Sequence, residues 1–453
     1  MVASIITKMD GRVTRLRVLS LAWPLIVANT TGPLLGLVDT FVLGHGHSSV
    51  ELAAVALGSL IFSFAYWGFG FLRMTTTGFV AQALAEGDHR GVQGAMLRPL
   101  LIGGVAGLVF FTLQGGVASL SFALLNAGSQ EEEVARAYFQ ARIFGAPVAL
   151  ASLSATGVLI AQRRTRVLLM IQAVTNGLNV VLDVVFVQVF DWGAPGVGFG
   201  TAIAEWVHAA LSVGIVWRSL KIRLNRETWA QVFDRSKLKE AFQANRDVMI
   251  RTLAMIFAFA FFTKQGASLG ATTLAANHIL LQFVAFSAFF LDGFAHVTES
   301  FVGEAKGTRD RVAFDGAVRR TSEVALLCAV FLSGGLWCFG DDAVRALTSL
   351  PEVRRVAEQQ LVAMVAYVGV SVVAFQLDGI FIGTTATGAL RNAALVSAGG
   401  FWGLAQVLVP MAQNAGLWWS FVLYVGLRGL SLAILFFPLR RRLFPDDSVA
   451  PLS

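Results

Sequence analysis

Cysteine is almost missing from this chain, with two in 453 residues. Both of them, Cys328 and Cys338, fall in one predicted membrane helix and read as core residues without redox chemistry. Catalytic fingerprints are missing as well. No G-x-S-x-G, H-E-x-x-H, Walker or dinucleotide pattern occurs in a strand, turn and helix context, so the chain does not read as an enzyme, and ATP is not its direct energy source. Charge is scarce: 14% of residues are charged, against roughly 25% in ordinary soluble domains. What is present instead is apolar, 56% of the chain, with a mean hydropathy of +0.68. Such a composition takes lipid as its solvent. The net charge of +7 would suit a nucleic acid, yet Lys and Arg come in short clusters between long apolar runs, which the positive-inside rule explains better.

The apolar runs mark twelve spans, roughly 18–44, 52–84, 92–122, 132–161, 166–190, 196–220, 243–268, 272–304, 314–339, 356–383, 390–413 and 416–439. Basic residues alternate between the connections. One side receives Lys8 to Arg17, Arg90, Arg98, Arg163, Arg164, Arg166, the Arg218–Arg251 segment, Lys306 to Arg320, Arg391 and Arg440 to Arg442. The other receives Arg136, Arg142, Lys264, Arg345, Arg354 and Arg355, with the acids Glu131, Glu132, Glu133, Asp341 and Asp342. This asymmetry predicts a multi-pass inner-membrane protein with both termini and the 221–241 connection in the cytoplasm. The first span is too long for a signal-peptide core and is expected to stay attached.

The stretch Pro24–His45, PLIVANTTGPLLGLVDTFVLGH, carries one acid, Asp39, six residues after Pro33. A charged side chain at a helix centre in hydrocarbon costs upwards of about 2.5–3.5 kcal/mol, so an acid there calls for a cavity, a partner or a proton. Low dielectric favours the neutral form of an acid, which makes Asp39 a candidate for taking up and releasing a proton. Pro33 removes a helix hydrogen bond and permits a hinge beside it.

The chain also repeats itself. A shift of 222 residues lays Leu52, Ala53 and Ala54 on Leu274, Ala275 and Ala276, Asp88 on Asp310, Arg98 on Arg320, and Gly157 on Gly379. Two six-helix halves follow, 1–220 and 242–453, joined by a cytoplasmic linker, 221–241, which reads as a solvated connector or an amphipathic surface helix. With six spans each, the halves are parallel repeats about an axis along the membrane normal, and such repeats enclose a central cleft. The same offset from Asp39 and Asp183 reaches Phe261 and Ala405, so ion coupling is expected in the first half.

In the fifth span, QAVTNGLNVVLDVVFV places Asn176, Asn179 and Asp183 on one helical face, and Thr201 and Glu205, the latter a candidate cleft acid, stand one turn apart in the sixth. Asp39, Asn179, Asp183 and Thr201 together offer oxygens that suit a proton, a Na⁺ ion or a water network. The same stripe also fits plain interhelical hydrogen bonding. In the second half Asp292, His296 and Glu299 in the eighth span and Asp378 in the tenth either line the cleft and attract cations or lock the helices, Asp378 through Arg428. His278 reads as an interhelical hydrogen-bonding group rather than a metal ligand. Arg73 requires an anionic partner that the sequence does not name.

The segments GLVDTFVLGH, ARAYFQARIFGAP, GVLIAQRRTRVLLMIQAVTNGLNVVLDVVF, GVGFGTAIAEW and QLDGIFIGTTATGALRNA, with the P-x(8)-P-x(5)-D pattern of the first span, resemble the multidrug and toxic compound extrusion (MATE) transporters, in their DinF-like branch. The resemblance implies an all-α membrane protein of twelve helices in two lobes. It implies export of lipophilic, often cationic, drug-like compounds by antiport with H⁺ or Na⁺, without a cofactor, by a chain expected to act as a monomer. By motif match it places the essential first-span acid on Asp39, a tyrosine on Tyr138, an asparagine and aspartate on Asn179 and Asp183, and a threonine on Thr201. Tyr138 sits near the outer end of its span and also fits an interfacial belt tyrosine. Residues 257–262, FAFAFF, lack the seventh-span acid of other branches. A flippase for lipids or lipid-linked precursors, of similar two-lobed build, is the competing reading.

Overall fold

A long apolar stretch in hydrocarbon has no water for its N–H and C=O groups and must pair them internally, which a helix does within one segment. The computed structural model describes residues 13–44, 49–125 and 128–445, and among these there is no strand. In chain order the helices are α1 (Arg15–Gly44), α2 (Ser49–Gly68), α3 (Phe71–Ala85), α4 (His89–Thr112), α5 (Gln114–Leu125), α6 (Ser129–Arg142), α7 (Ala146–Ala161), α8 (Thr165–Val184), α9 (Gly193–Leu220), α10 (Arg226–Val232), α11 (Arg235–Ser268), α12 (Ala271–Gly307), α13 (Arg311–Leu347), α14 (Pro351–Gly383) and α15 (Thr387–Leu443). A 3₁₀ turn, Ile143–Gly145, joins α6 to α7, and a π turn, Val185–Val189, closes α8.

Among the described residues nine helical segments are long and apolar enough to cross a membrane. The second, third and fourth sequence spans are each interrupted, near Gly70, at Leu113 and at the 3₁₀ turn. The last two spans, by contrast, form one run of 57 residues with a non-helical residue, Gln413, inside it. At 1.5 Å per residue that run would extend about 85 Å, far beyond the roughly 30 Å of hydrocarbon, so α15 crosses twice and turns at Gln413.

The 222-residue offset reappears in the backbone. Left-handed residues recur at it: Gly87 (φ 72°) with Arg309 (φ 55°), Arg163 (φ 55°) with Thr385 (φ 56°), and Asp191 (φ 55°) with Gln413 (φ 48°). Asp88 and Asp310 each cap the helix that follows, accepting from Gly91 N and Ala313 N at 2.9 Å. A Cβ on Gly157 would stand 2.6 Å from the Arg73 carbonyl oxygen, and one on Gly379 2.6 Å from that of Ala295, another pair at the same offset. Both glycines exist to let two backbones meet.

Contacts divide the chain into two compact units. One runs from Val27 to Asn245, with a core of Phe62, Phe122, Tyr138, Phe139 and Val187. The other joins α1 up to Ile26 with the chain from Arg246 onward. In it Phe421 is ringed by Phe262 at 4.8 Å, Tyr367 at 4.6 Å, Phe401 at 5.5 Å and Tyr424 at 5.6 Å between centroids. Asn277 and Asn414 exchange amide hydrogen bonds of 2.8 and 3.0 Å, and Trp418 Nε1 donates to Asn277 Oδ1 at 2.8 Å.

Candidate functional site

The glycines of α9 build the site in the Val27–Asn245 unit. Gly198 and Gly200 stand two residues apart, hence nearly opposite around the helix. A Cβ on Gly198 would stand 2.7 Å from the Tyr138 carbonyl oxygen of α6, and one on Gly200 would strike Asp183 Oδ1 of α8. Bare backbone on both sides therefore lets α9 seat between α6 and α8.

Asp183 has no exposed surface and Asn179 has 3%. Asn179 Nδ2 donates to Asp183 Oδ1 at 3.1 Å, as their four-residue spacing allows. Asn176, on the same stripe, accepts from Gln172 Nε2 at 3.1 Å along its own helix. Thr201 follows Gly200, but its hydroxyl donates to the Val197 carbonyl at 2.9 Å. Of the oxygen set expected around Asp183, the described residues bring the Asn179 amide to the carboxylate, with the threonine hydroxyl turned to its own helix. Pro33 and Asp39 lie on α1, whose backbone is helical through both, and their side chains lie outside the described residues.

A second polar cluster lies on α2, α6 and α9, and Tyr138 belongs to it. Tyr138 is fully buried, not an exposed belt residue. Its hydroxyl lies 2.9 Å from Ser59 Oγ and accepts from Arg142 Nη1 at 2.8 Å. Arg142 Nη2 stands 3.7 Å from Glu205 Oε1, Tyr66 donates to Glu205 Oε2 at 3.2 Å, and the guanidinium lies 4.7 Å over the Phe62 ring. Two sequence expectations change here. Arg142 is no outer-loop cation, since its side chain and that of Glu205 are each only 15% exposed. Glu205 is not a bare cleft acid but the partner of an arginine, as a buried charge requires. Ser59 and Tyr66 went unnamed from the sequence, and Arg142 was named only as a cation of the outer side. The available signal was a Tyr and an Arg four apart in AYFQAR, in a chain with only four tyrosines.

In the other unit Asp378 is gripped by Arg251 and by Arg428, the latter at 3.2 Å. Arg428 is 3% exposed and its Nη1 reaches Met255 Sδ at 3.5 Å. Of the two readings of Asp378, attracting cations or locking helices, this geometry carries the second, because two guanidinium groups already neutralise its charge. Arg251, grouped by sequence with the cytoplasmic cations, is one of the two. Glu299 (1% exposed) and His296 (8%) are buried on α12, where Asp292 is half-buried. On the same helix Thr298 donates to Gln376 Oε1 of α14 at 2.9 Å. His278 meets Gln282 within α12 at 3.2 Å, so its bond is intrahelical rather than interhelical. Among the described residues no group of three or more His, Cys, Asp or Glu side chains is arranged to hold a metal ion.

Comparison with known proteins agrees with this build. The MatE family model matches residues 24–185 and 248–402. The chain is 34% identical over 417 residues to DNA damage-inducible protein F of Escherichia coli, covering 91% of this chain and 90% of that protein. It is 26% identical over 348 residues to the probable multidrug resistance protein NorM of Aromatoleum aromaticum, covering 74% and 73% of the two chains. In structure it resembles the Vibrio cholerae MATE transporter VcmN in its bent form, with a TM-score of 0.84 over 95% of this chain and 98% of the other at 17% identity. A repeated bundle of apolar helices with buried, partnered acids, matched by one family model across both halves, places this chain in the MATE family of multi-pass membrane transporters.

Proposed function

We propose that this transporter is a secondary exporter of the inner membrane, moving lipophilic, often cationic, drug-like compounds outward in exchange for H⁺. The observation that carries the reading is Asp183, a carboxyl with no exposed surface, held by Asn179 on a membrane-spanning helix. An acid kept there at such cost serves best by changing charge during the cycle. Asp39 supplies the second carboxyl on α1, Thr201 beside Gly200 and Tyr138 in the second polar cluster take part in coupling, and Pro33 is the hinge through which the charge on Asp39 moves α1. Antiport requires that proton and compound do not both stabilise the same state. The names of the relatives, a multidrug resistance protein among them, support the substrate class.

The remaining parts of the reading are topological. Both termini and the linker 221–241 face the cytoplasm, the lobes are 1–220 and 242–453, and the chain works as a monomer. Basic asymmetry supports the first and the 222-residue repeat the second.

The test is efflux from vesicles carrying the wild type or Asp39→Asn, with a pH gradient and a Na⁺ gradient imposed separately. Transport that follows pH alone and vanishes in the variant is the expected result. Transport driven by Na⁺ recasts Asp39, Asn179 and Asp183 as a sodium site, and proton-driven efflux surviving in Asp39→Asn removes the coupling role of that acid.

A further inference from the structure

The linker between the two sets of spans is a built surface rather than a loose connection. Asn225 caps α10 by accepting from Thr228 N at 2.8 Å, and Thr228 Oγ1 reaches Gln93 Oε1 of α4 at 3.2 Å. The far end of α10 is held by Arg98, 7% exposed, whose Nε donates to the Val232 carbonyl at 3.0 Å and whose Nη2 donates to that of Gln231. Gln93 lies four residues into α4, about 6 Å along its axis, and the Arg98 guanidinium folds back beside Gly94, whose added Cβ would stand 2.9 Å from Nη2. Because α4 is itself a candidate span, α10 lies alongside the membrane helix instead of hanging below its end.

The buried side of this segment is Thr228 and Val232, and its outward side is apolar too. Trp229 and Phe233 stack at 5.9 Å and 18° and remain 37% and 64% exposed, with Leu224 at 54%. An outward aromatic pair fixed at the depth of the second turn of a spanning helix is unfavourable in water and favourable at the boundary of headgroup and acyl chain. Around the pair Lys221, Arg223, Arg226, Arg235, Lys237 and Lys239 are all exposed. Arg90 takes Glu227 at 2.7 Å, which removes one of the few acids from the patch.

We propose that residues 221–239 form a docking surface for anionic phospholipid, with Trp229 and Phe233 entering the lipid and the basic side chains binding headgroup phosphate. The preference for anionic lipid comes from the charges and the depth from the rings.

The test titrates the purified full-length protein in detergent with phosphatidylglycerol, phosphatidylcholine or inorganic phosphate and counts bound molecules by native mass spectrometry. The wild type should bind phosphatidylglycerol at least about fivefold more tightly than phosphatidylcholine. R223Q/R226Q/K237Q/K239Q should lose that preference, and W229S/F233S should weaken both lipids while the melting temperature stays near that of the wild type. An unchanged preference in the charge variant, full binding by the serine variant, or displacement of lipid by inorganic phosphate at matching concentration would each overturn the proposal.

Discussion

Arg142 and Asp378 set the behaviour of single residues in this protein. Each buried charge is stabilised by a partner, and removing one member leaves the other stranded, which in buried pairs costs about 3–5 kcal/mol. Arg142→Ala should therefore lower the melting temperature of the detergent-solubilised protein. Because the pair is 15% exposed on each side, the loss should fall at about 3 kcal/mol, the low end of that range. Glu205→Gln with Arg142→Gln should recover part of it. Asp378→Asn leaves two guanidinium groups facing each other, so its melting temperature should fall further than that of Arg251→Gln, where Arg428 keeps the carboxylate company. Equal losses would mean that Arg428 does not share the load.

Helices in this protein approach through glycine, and their turns depend on left-handed residues. Gly200→Ala places a methyl group against Asp183 Oδ1, so the carboxyl must move off Asn179. Helix content by circular dichroism should be unchanged while efflux falls at least about tenfold, since misplacing a functional group by an ångström costs up to a hundredfold. Gly157→Leu, which drives a side chain into the Arg73 carbonyl, should instead abolish correct folding, seen as aggregation in size-exclusion chromatography. At Gln413 the backbone takes φ 48° and ψ −124°. This conformation strains any side chain by about 1–3 kcal/mol. Gln413→Gly should raise the melting temperature, and a decrease would show that the glutamine side chain holds the turn.

At the scale of the whole chain, orientation is testable with the residues already present. Cys338 is exposed and Cys328 half-buried. With the basic connections in the cytoplasm, α13 runs outward and Cys338 lies at its outer end, beside Asp341 and Asp342. A membrane-impermeant maleimide applied to intact cells should label Cys338 and leave Cys338→Ala unlabelled. Labelling only after the membrane is opened would invert the topology.

Span number, the internal repeat and the stripe of Asn179 and Asp183 were legible in the sequence because each is a local or periodic property. Apolar runs have the length of a membrane, a fixed offset survives substitution, and a four-residue spacing sets one face. Apart from Asp378 with Arg428, which meet at 3.2 Å, the charge partners were not legible. Arg142 and Arg251 looked like loop cations because hydropathy windows average over neighbours, whereas their carboxylates come from Glu205 and Asp378, 63 and 127 residues away. Thr201 shows the converse: its side chain has the chemistry of a ligand, but rotamer and helix direct the hydroxyl to Val197. The sequence by itself determined how many helices cross and which residues carry charge. Only the tertiary structure decided which charges meet, because pairing depends on how glycine faces bring distant helices together.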